Sequence, residues 1–313
     1  MSVLRGRNRR NDPGFGKKVG GSTKRIINPD GSFNINRVGT ERGLNNAYQR
    51  MMLISTGAFF GIVISGFILI NLLFATGYYF IGPEYLIGVR GETPLEHFLD
   101  CFYFSAQTFT TVGYGAISPR GALASSLASL EALLGLIALA IATGLLYTRF
   151  SRPKAKLHFS NNALITPFEG TNAFMFRFTN ARSNVLMNLK AEVILTMRDS
   201  ADPNSNRDYY GMELDFKEIL FLAISWTVVH RIDDKSDLKG LSQQDLIDRG
   251  AEFLILISGY DDTFSQTVHT RYSYTAEELV WGAKFDKAFT TTEKGEVRID
   301  LNDIHKYSKV PLN

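Results

Sequence analysis

Cysteine is almost absent from these 313 residues: Cys101 stands alone. No intrachain disulfide can form, so burial and hydrogen bonding must hold the fold together. The plain reading of Cys101 is a small buried residue. The five histidines, His97, His158, His230, His269 and His305, show no metal-ligand spacing with one another or with Cys101. No phosphate-binding loop and no nucleophile elbow occurs, so the chain offers nothing that reads as an enzyme. An excess of either charge is lacking too. Lys and Arg number 34 against 31 Asp and Glu, a formal net charge of +3. That is too little to imply nucleic-acid binding. An Arg-rich apolar span is also missing.

What is present is distributed unevenly. A mean hydropathy of −0.04 averages two unlike parts. The first apolar run carries no charge from Met51 to Pro83, and the second, Gly121 to Thr148, carries only Glu131. Each is long enough to cross a hydrocarbon core of about 30 Å. Lys and Arg crowd the segment from Arg5 to Arg50 and recur at Arg149, Arg152, Lys154 and Lys156. The connection from Pro83 to Pro94 has only Arg90 against Glu84 and Glu92. The positive-inside rule then puts both termini in the cytoplasm of a multi-pass protein of the cell membrane. The basic start is not read as a signal peptide, because no apolar core or small-residue cleavage site follows at the usual distance.

Between the runs lies Thr110-Thr111-Val112-Gly113-Tyr114-Gly115. TVGYG between two spans resembles the selectivity filter by which potassium channels are described. Two glycines let successive carbonyls turn toward one axis, where they replace the hydration shell of K⁺. The Thr111 hydroxyl adds a ring, and Val112 and Tyr114 pack the wall. One chain supplies one loop, so a closed ring requires a homotetramer. Leu95 to Phe109 is too short to span, and Pro94 is placed to start a helix. It reads as a re-entrant pore helix whose C-terminal dipole favours a cation.

In the second run Leu139, Thr143 and Tyr147 share a helical face, assigned to the conduction path. Tyr147 reads either as a ring of aromatics that closes the pore or as an interfacial belt residue. Gly135 and Gly144 are candidate hinges. Glu131 lies roughly 80° round the helix from Leu139. That rotation favours a support behind the filter over a cation site in the cavity. In the first run Gly57, Gly61, Ser65 and Gly66 form a small-residue stripe suited to helix packing. Leu44, Ala47, Tyr48, Met51 and Met52 follow a helical spacing. They read as an amphipathic surface helix or as an early start of the first span.

Residues 1–24 read as mostly disordered. Asn28-Pro29-Asp30-Gly31 is a turn signal flanked by Ile26, Ile27, Phe33 and Ile35, hence a short hairpin or an added strand. From Arg152 the pattern changes to short alternating strands: Phe174 to Phe178, Val185 to Met197, Phe253 to Ile257, Thr267 to Tyr274 and Val297 to Leu301. With one weak helical stretch, Ser242 to Arg249, they predict a β-sandwich. The predicted organisation is a cytoplasmic tail with a short strand (1–43), a surface helix (44–52), a membrane domain (53–150) and the sandwich (151–313). The membrane domain holds an outer helix, a pore helix (95–109), the filter (110–115) and an inner helix (121–150). The class is α+β.

In order along residues 25–313, further pieces resemble one family. They are Asp30-Gly31-Ser32-Phe33-Asn34-Ile35, Tyr103-Phe104-Ser105, the filter, Leu130-Glu131, Arg149-Phe150-Ser151-Arg152-Pro153-Lys154 and Asn180-Ala181-Arg182. Ser225-Trp226-Thr227-Val228-Val229-His230, Val280-Trp281-Gly282 and His305-Lys306-Tyr307 follow. The chain resembles an inward-rectifier potassium channel of the prokaryotic, KirBac-like branch. The resemblance implies an immunoglobulin-like sandwich forming an aqueous cytoplasmic vestibule, and no cofactor beyond K⁺ as permeant ion. It implies modulation by anionic phospholipid at Arg50, Arg149, Arg152, Lys154 and Lys156, of either sign. Plain positive-inside charge explains those residues as well. Block by Mg²⁺ or polyamines in this family uses acids where this chain has Leu139 and Asn188. Only an acid near Asp262 is kept, so strong rectification is not expected. Gln107 stands where many relatives place a Glu behind the filter. The alternatives are a weakly selective cation channel, given Gln107 and Ala116, or a membrane-anchored sensor with a vestigial pore.

Overall fold

The computed structural model describes residues 12–16, 25–36, 38–39, 44–150, 155–199, 202 and 205–313, and of residues 44–47 and 49 the backbone alone. The tail reading for residues 1–24 therefore falls largely outside the described residues, as do Arg152 and Lys154. The chain divides into two compact units, one of residues 39–152 and one of residues 1–38 with 153–313.

The membrane unit is built from four helices: α1 (Leu44–Leu53), α2 (Thr56–Ile81), α3 (Pro94–Phe109) and α4 (Ala122–Phe150). A break at Ile54 and Ser55 separates α1 from α2. Ser55 is extended and its side chain accepts from the Ala58 N–H, which satisfies one of the open donors of the α2 N-terminus. The two long helices, of 26 and 29 residues, reach about 39 and 43 Å at 1.5 Å per residue, enough to cross a bilayer. Their inward faces keep helical spacing. Asn71, Phe74, Ala75 and Tyr78 are buried on α2, and Ala124, Ala128, Glu131 and Gly135 on α4. Between them sits α3, which buries Cys101, Phe104, Ser105 and Phe109. Cys101 is enclosed with Phe74, Ala75, Tyr78 and Phe104. Gly57, Gly61 and Gly66 meet nothing within 4 Å, so the small-residue stripe is open within one chain. Two short strands, β1 (Leu86–Ile87) and β2 (Ser118–Pro119), pair antiparallel outside the filter.

The second unit is a two-sheet sandwich. Its strands are β3 (Leu157–Phe159), β4 (Ala163–Phe168), β5 (Thr171–Asn180), β6 (Leu186–Arg198), β7 (Arg207–Gly211), β8 (Glu218–Phe221), β9 (Ser225–Ile232), β10 (Glu252–Asp261), β11 (Gln266–Thr275) and β12 (Leu279–Trp281). One sheet runs β11-β10-β6-β7 with β8 also on β6; the other runs β12-β4-β5-β3 with β9 on β5. Period-two alternation places Phe174, Phe176 and Phe178 of β5 in the core with Phe253, Ile255 and Ile257 of β10. The Phe174 and Phe253 rings stack at 4.3 Å across the layers. A short helix, α5 (Gln243–Asp248), is capped by Ser242.

One expectation changes, and one pair of alternatives is decided. The strand expected from Val297 to Leu301 is shorter. β14 (Phe289–Thr291) and β15 (Val297–Ile299) form a hairpin of their own outside both sheets, and the chain turns into a 3₁₀ helix at Leu301. Another pair, β13 (Ala283–Phe285) and β16 (Tyr307–Lys309), also stands apart. The Asn28–Gly31 turn closes a minimal hairpin joined by one bridge, Ile27 to Phe33, rather than a strand added to a sheet. It is held by a buried carboxylate: Glu252 of β10 accepts the Ile26 and Ile27 N–H groups at 2.8 and 3.1 Å. Arg25 adds an ion pair to Glu278 at 2.7 Å.

Candidate functional site

The loop from Thr110 to Gly115, where the sequence predicts the filter, is fixed at both ends. At its start, Thr93 caps α3 in a reciprocal capping box with Glu96, and Pro94 occupies the first turn. The helix ends at Phe109, and its last carbonyls are taken up by the loop. Thr110 N–H donates to Ala106, Thr111 N–H to Thr108, and both Val112 and Gly113 N–H to the Gln107 carbonyl at 2.9 and 3.3 Å. At the far end Arg120 N–H donates to the Tyr85 carbonyl at 2.7 Å beside the β1–β2 pair. Gly113 and Gly115 have φ of 53° and 78°, the left-handed region that glycine tolerates. Thr111 has φ of 60°, an outlier for a β-branched residue, and such strain marks a backbone that its surroundings over-determine. Among the described residues no hydrogen bond ends on a carbonyl from Thr111 to Gly115. The first half of the loop is thus tied down by the N–H groups of Thr110 to Gly113, while its acceptors are left for something else. Val112 and Tyr114 are 52% and 78% exposed, so much of both is left uncovered by the same chain.

Behind the loop lies a fully buried polar cluster from three helices. Glu131 of α4 accepts from Tyr78 of α2 at 2.6 Å and is bonded to Ser105 of α3. Ser105 also reaches the Asn71 side-chain oxygen at 2.9 Å, and Asn71 donates to the Phe67 carbonyl at 2.7 Å. Buried polar groups in a membrane must find partners within the protein, and these do. The structure places Glu131 between α2 and α3. No bond joins Glu131 to Gln107 among the described residues; Gln107 meets the filter through its main-chain carbonyl. Asn71 and Tyr78 escaped sequence reasoning, although both are polar interruptions of an apolar run. Gly135 sits where α4 crosses the end of α3. A Cβ there would lie 1.9 Å from the Phe109 carbonyl oxygen, so packing alone requires glycine, and α4 continues unbroken through it. Gly144 meets nothing within 4 Å.

Leu139, Thr143 and Tyr147 are exposed together on α4, Leu139 at 61% and Tyr147 at 73%. Of the basic set, Arg50 and Lys156 are exposed. Arg149 is engaged inside the membrane unit: it donates to the Met51 and Ile54 carbonyls at 2.5 and 2.8 Å. In the sandwich, Asp262 is exposed, while its neighbour Asp261 is buried and accepts from Asn184, Thr263 and Phe264. Asn188 is exposed with φ of 49°, opposite the register shift in β10. Amide side chains tolerate that backbone better than most.

Two family models match this chain: the inward rectifier potassium channel C-terminal domain over residues 157–313 and the ion channel model over residues 66–152. The chain is similar to the inward rectifier potassium channel Kirbac3.1 of Paramagnetospirillum magnetotacticum, with 35% identity over 94% of this chain and 99% of that one. It is 29% identical to the mouse ATP-sensitive inward rectifier potassium channel 12, and 28% to the human inward rectifier potassium channel 18. Both matches cover 71% of this chain and only about half of the mammalian ones. The apolar helices, the sandwich and the near-complete overlap with a bacterial relative agree: the chain belongs to the inward-rectifier potassium channel family, a family of membrane ion channels rather than enzymes.

Proposed function

We propose that four copies of this chain assemble about one axis and conduct K⁺ passively down its electrochemical gradient. The filter is the backbone of Thr111, Val112, Gly113, Tyr114 and Gly115. The observation that carries this reading is the loop whose Thr111, Val112 and Gly113 N–H groups are bonded to the end of α3, while its carbonyls from Thr111 to Gly115 accept no hydrogen bond among the described residues. Four such loops give stacked rings of oxygens that substitute for water around a dehydrated cation. The exposed surfaces of Val112 and Tyr114 fit the same assembly, in which a neighbouring copy covers them. Glu131, with Ser105, Tyr78 and Asn71, supports the loop from behind, and Gln107 does so through its carbonyl. Leu139, Thr143 and Tyr147 line the path, with Tyr147 as the gate and Gly144 as the hinge. Both termini face the cytoplasm, and the sandwich forms a vestibule carrying Asp262. Anionic phospholipid modulates opening through Arg50 and Lys156, together with Arg152 and Lys154.

The test is cation uptake into liposomes holding the purified full-length protein, comparing K⁺ with Na⁺ and adding Ba²⁺. Uptake of K⁺ at least tenfold above Na⁺, stopped by Ba²⁺, is the expected result. Equal fluxes would replace it with a weakly selective pore. Silence in both the wild type and Tyr147→Ala would turn the reading toward a membrane-anchored sensor.

A further inference from the structure

Arg149 makes a contact that its place in a basic cluster does not announce. It stands in the last turn of α4, two residues after Tyr147. Its guanidinium spans the carbonyl of Met51, in the last turn of α1, at 2.5 Å and that of Ile54, in the break just after it, at 2.8 Å. The final carbonyls of a helix have no partner within it, and a cation there is favoured by the helix dipole. The same group lies 4.8 Å from the centre of the Phe59 ring in the first turn of α2, within range of a cation–π contact. One side chain therefore ties the end of the inner helix to the α1–α2 junction. By contrast Arg50, on α1 itself, is exposed.

We propose that Arg149 is a positioning residue of the gate. Its planar, forked guanidinium fastens α4 to the end of α1, so that the position of α1 sets where the Tyr147 ring stands. It acts through those two carbonyls, not as a ligand of lipid phosphate. This rests on the gate reading of Tyr147. A lysine keeps the charge but neither the fork nor the flat face over Phe59. The rival roles therefore predict different behaviour for Arg149→Lys.

The experiment is K⁺ flux from full-length protein reconstituted in vesicles of phosphatidylcholine with a stepped fraction of phosphatidylglycerol. Wild type, Arg149→Lys, Arg149→Ala, Phe59→Leu and Tyr147→Ala are compared. Both Arg149 variants are expected to change maximal flux at least threefold in the same direction. The phosphatidylglycerol fraction giving half the effect stays within twofold of wild type. Phe59→Leu, which spares the carbonyl bonds and tests the stack, shifts flux the same way by less. Added to Tyr147→Ala, Arg149→Ala has no further effect. The proposal is overturned if Arg149→Lys behaves as wild type while Arg149→Ala moves the half-effective fraction more than threefold, the mark of a phosphate ligand. Wild-type flux from both Arg149 variants also overturns it. Tyr147→Ala alone decides the gate reading. If it leaves flux unchanged while both Arg149 variants alter it, that reading fails and the link to Tyr147 fails with it. The clamp on α1 is then judged by a spin label at residue 48 in a cysteine-free background, which both Arg149 variants must loosen for the clamp to stand.

Discussion

Glutamine in place of Glu131 should be nearly silent, and alanine should not. The amide that Glu131→Gln introduces can accept from Tyr78 and donate to Ser105, which leaves the Ser105 proton for Asn71. Alanine strands buried hydroxyls behind the filter, and each unmet group costs about 1–3 kcal/mol. Thermal melting of the detergent-solubilised protein should separate Glu131→Gln from Glu131→Ala. Equal losses from both would mean that the hydrogen-bond pattern is not what holds the filter. Gly135→Ala is expected to be more damaging than Gly144→Ala, because only the first drives a methyl into a backbone carbonyl. Reduced K⁺ over Na⁺ selectivity in the first alone would be its signature. Glu131 was legible in the sequence as the one ionisable group of a span, and its rotation from Leu139 pointed behind the filter. Its partners were not legible, since Asn71, Tyr78 and Ser105 meet it only once three helices pack. Gly135 and Gly144 look alike as letters, and only the crossing of α3 over α4 tells them apart.

Among the elements, the strands with clean alternation, such as Phe174 to Phe178, were legible because one face must be buried. Val297 to Leu301 was not, since a two-strand hairpin and a sheet strand share the same short pattern. Nor did the sequence say what holds the Asn28–Gly31 hairpin. Glu252 is buried in β10, and its carboxylate takes two backbone N–H groups. Glu252→Gln turns an acceptor oxygen into an NH₂ facing a donor. It should cost about 1–3 kcal/mol of sandwich stability and speed amide exchange at Ile26 and Ile27. Unchanged exchange would mean that Arg25, the Ser273 bond to the Ile27 carbonyl and apolar packing on Leu254 hold the hairpin without it. In β9, His230 is buried with Nδ1 on the Glu213 carbonyl at 2.6 Å and Nε2 on Ser236 at 2.7 Å. Burial holds its pKa below the usual imidazole value. The unfolded chain therefore takes up a proton near pH 6.5 that the folded sandwich refuses. Stability is full above that pH and falls as the pH drops through it. His305 shifts in the same direction, again chiefly by burial. His230→Gln should therefore remove part, not all, of the fall in melting temperature between pH 7 and pH 5.

At the scale of the proposed tetramer the missing acids decide how the current should rectify. Block by an intracellular cation needs negative charge in its path, and the exposed inner-helix face offers Leu139, Thr143 and Tyr147, none of them charged. In the sandwich Asn188 is neutral as well, which leaves Asp262 as the exposed acid of the set. In the proposed tetramer an aspartate at position 139 would appear four times around the axis. At a separation of about 7 Å in water, each carboxylate attracts a unit charge by ~0.6 kcal/mol, so four act on a divalent ion with ~5 kcal/mol. Salt screens part of this, but even ~2 kcal/mol exceeds a tenfold change in block. Leu139→Asp should therefore convert a weakly rectifying current into one blocked by internal Mg²⁺ at concentrations at least tenfold lower, with the K⁺ to Na⁺ ratio unchanged. Asn188→Asp should do less, because a charge in an aqueous vestibule is screened more than one in the membrane pore. Planar-bilayer recordings with Mg²⁺ on one side read both effects. If Leu139→Asp leaves the block where it was, Leu139 does not face the ions, and the face assigned to the pore must be turned about the axis of α4.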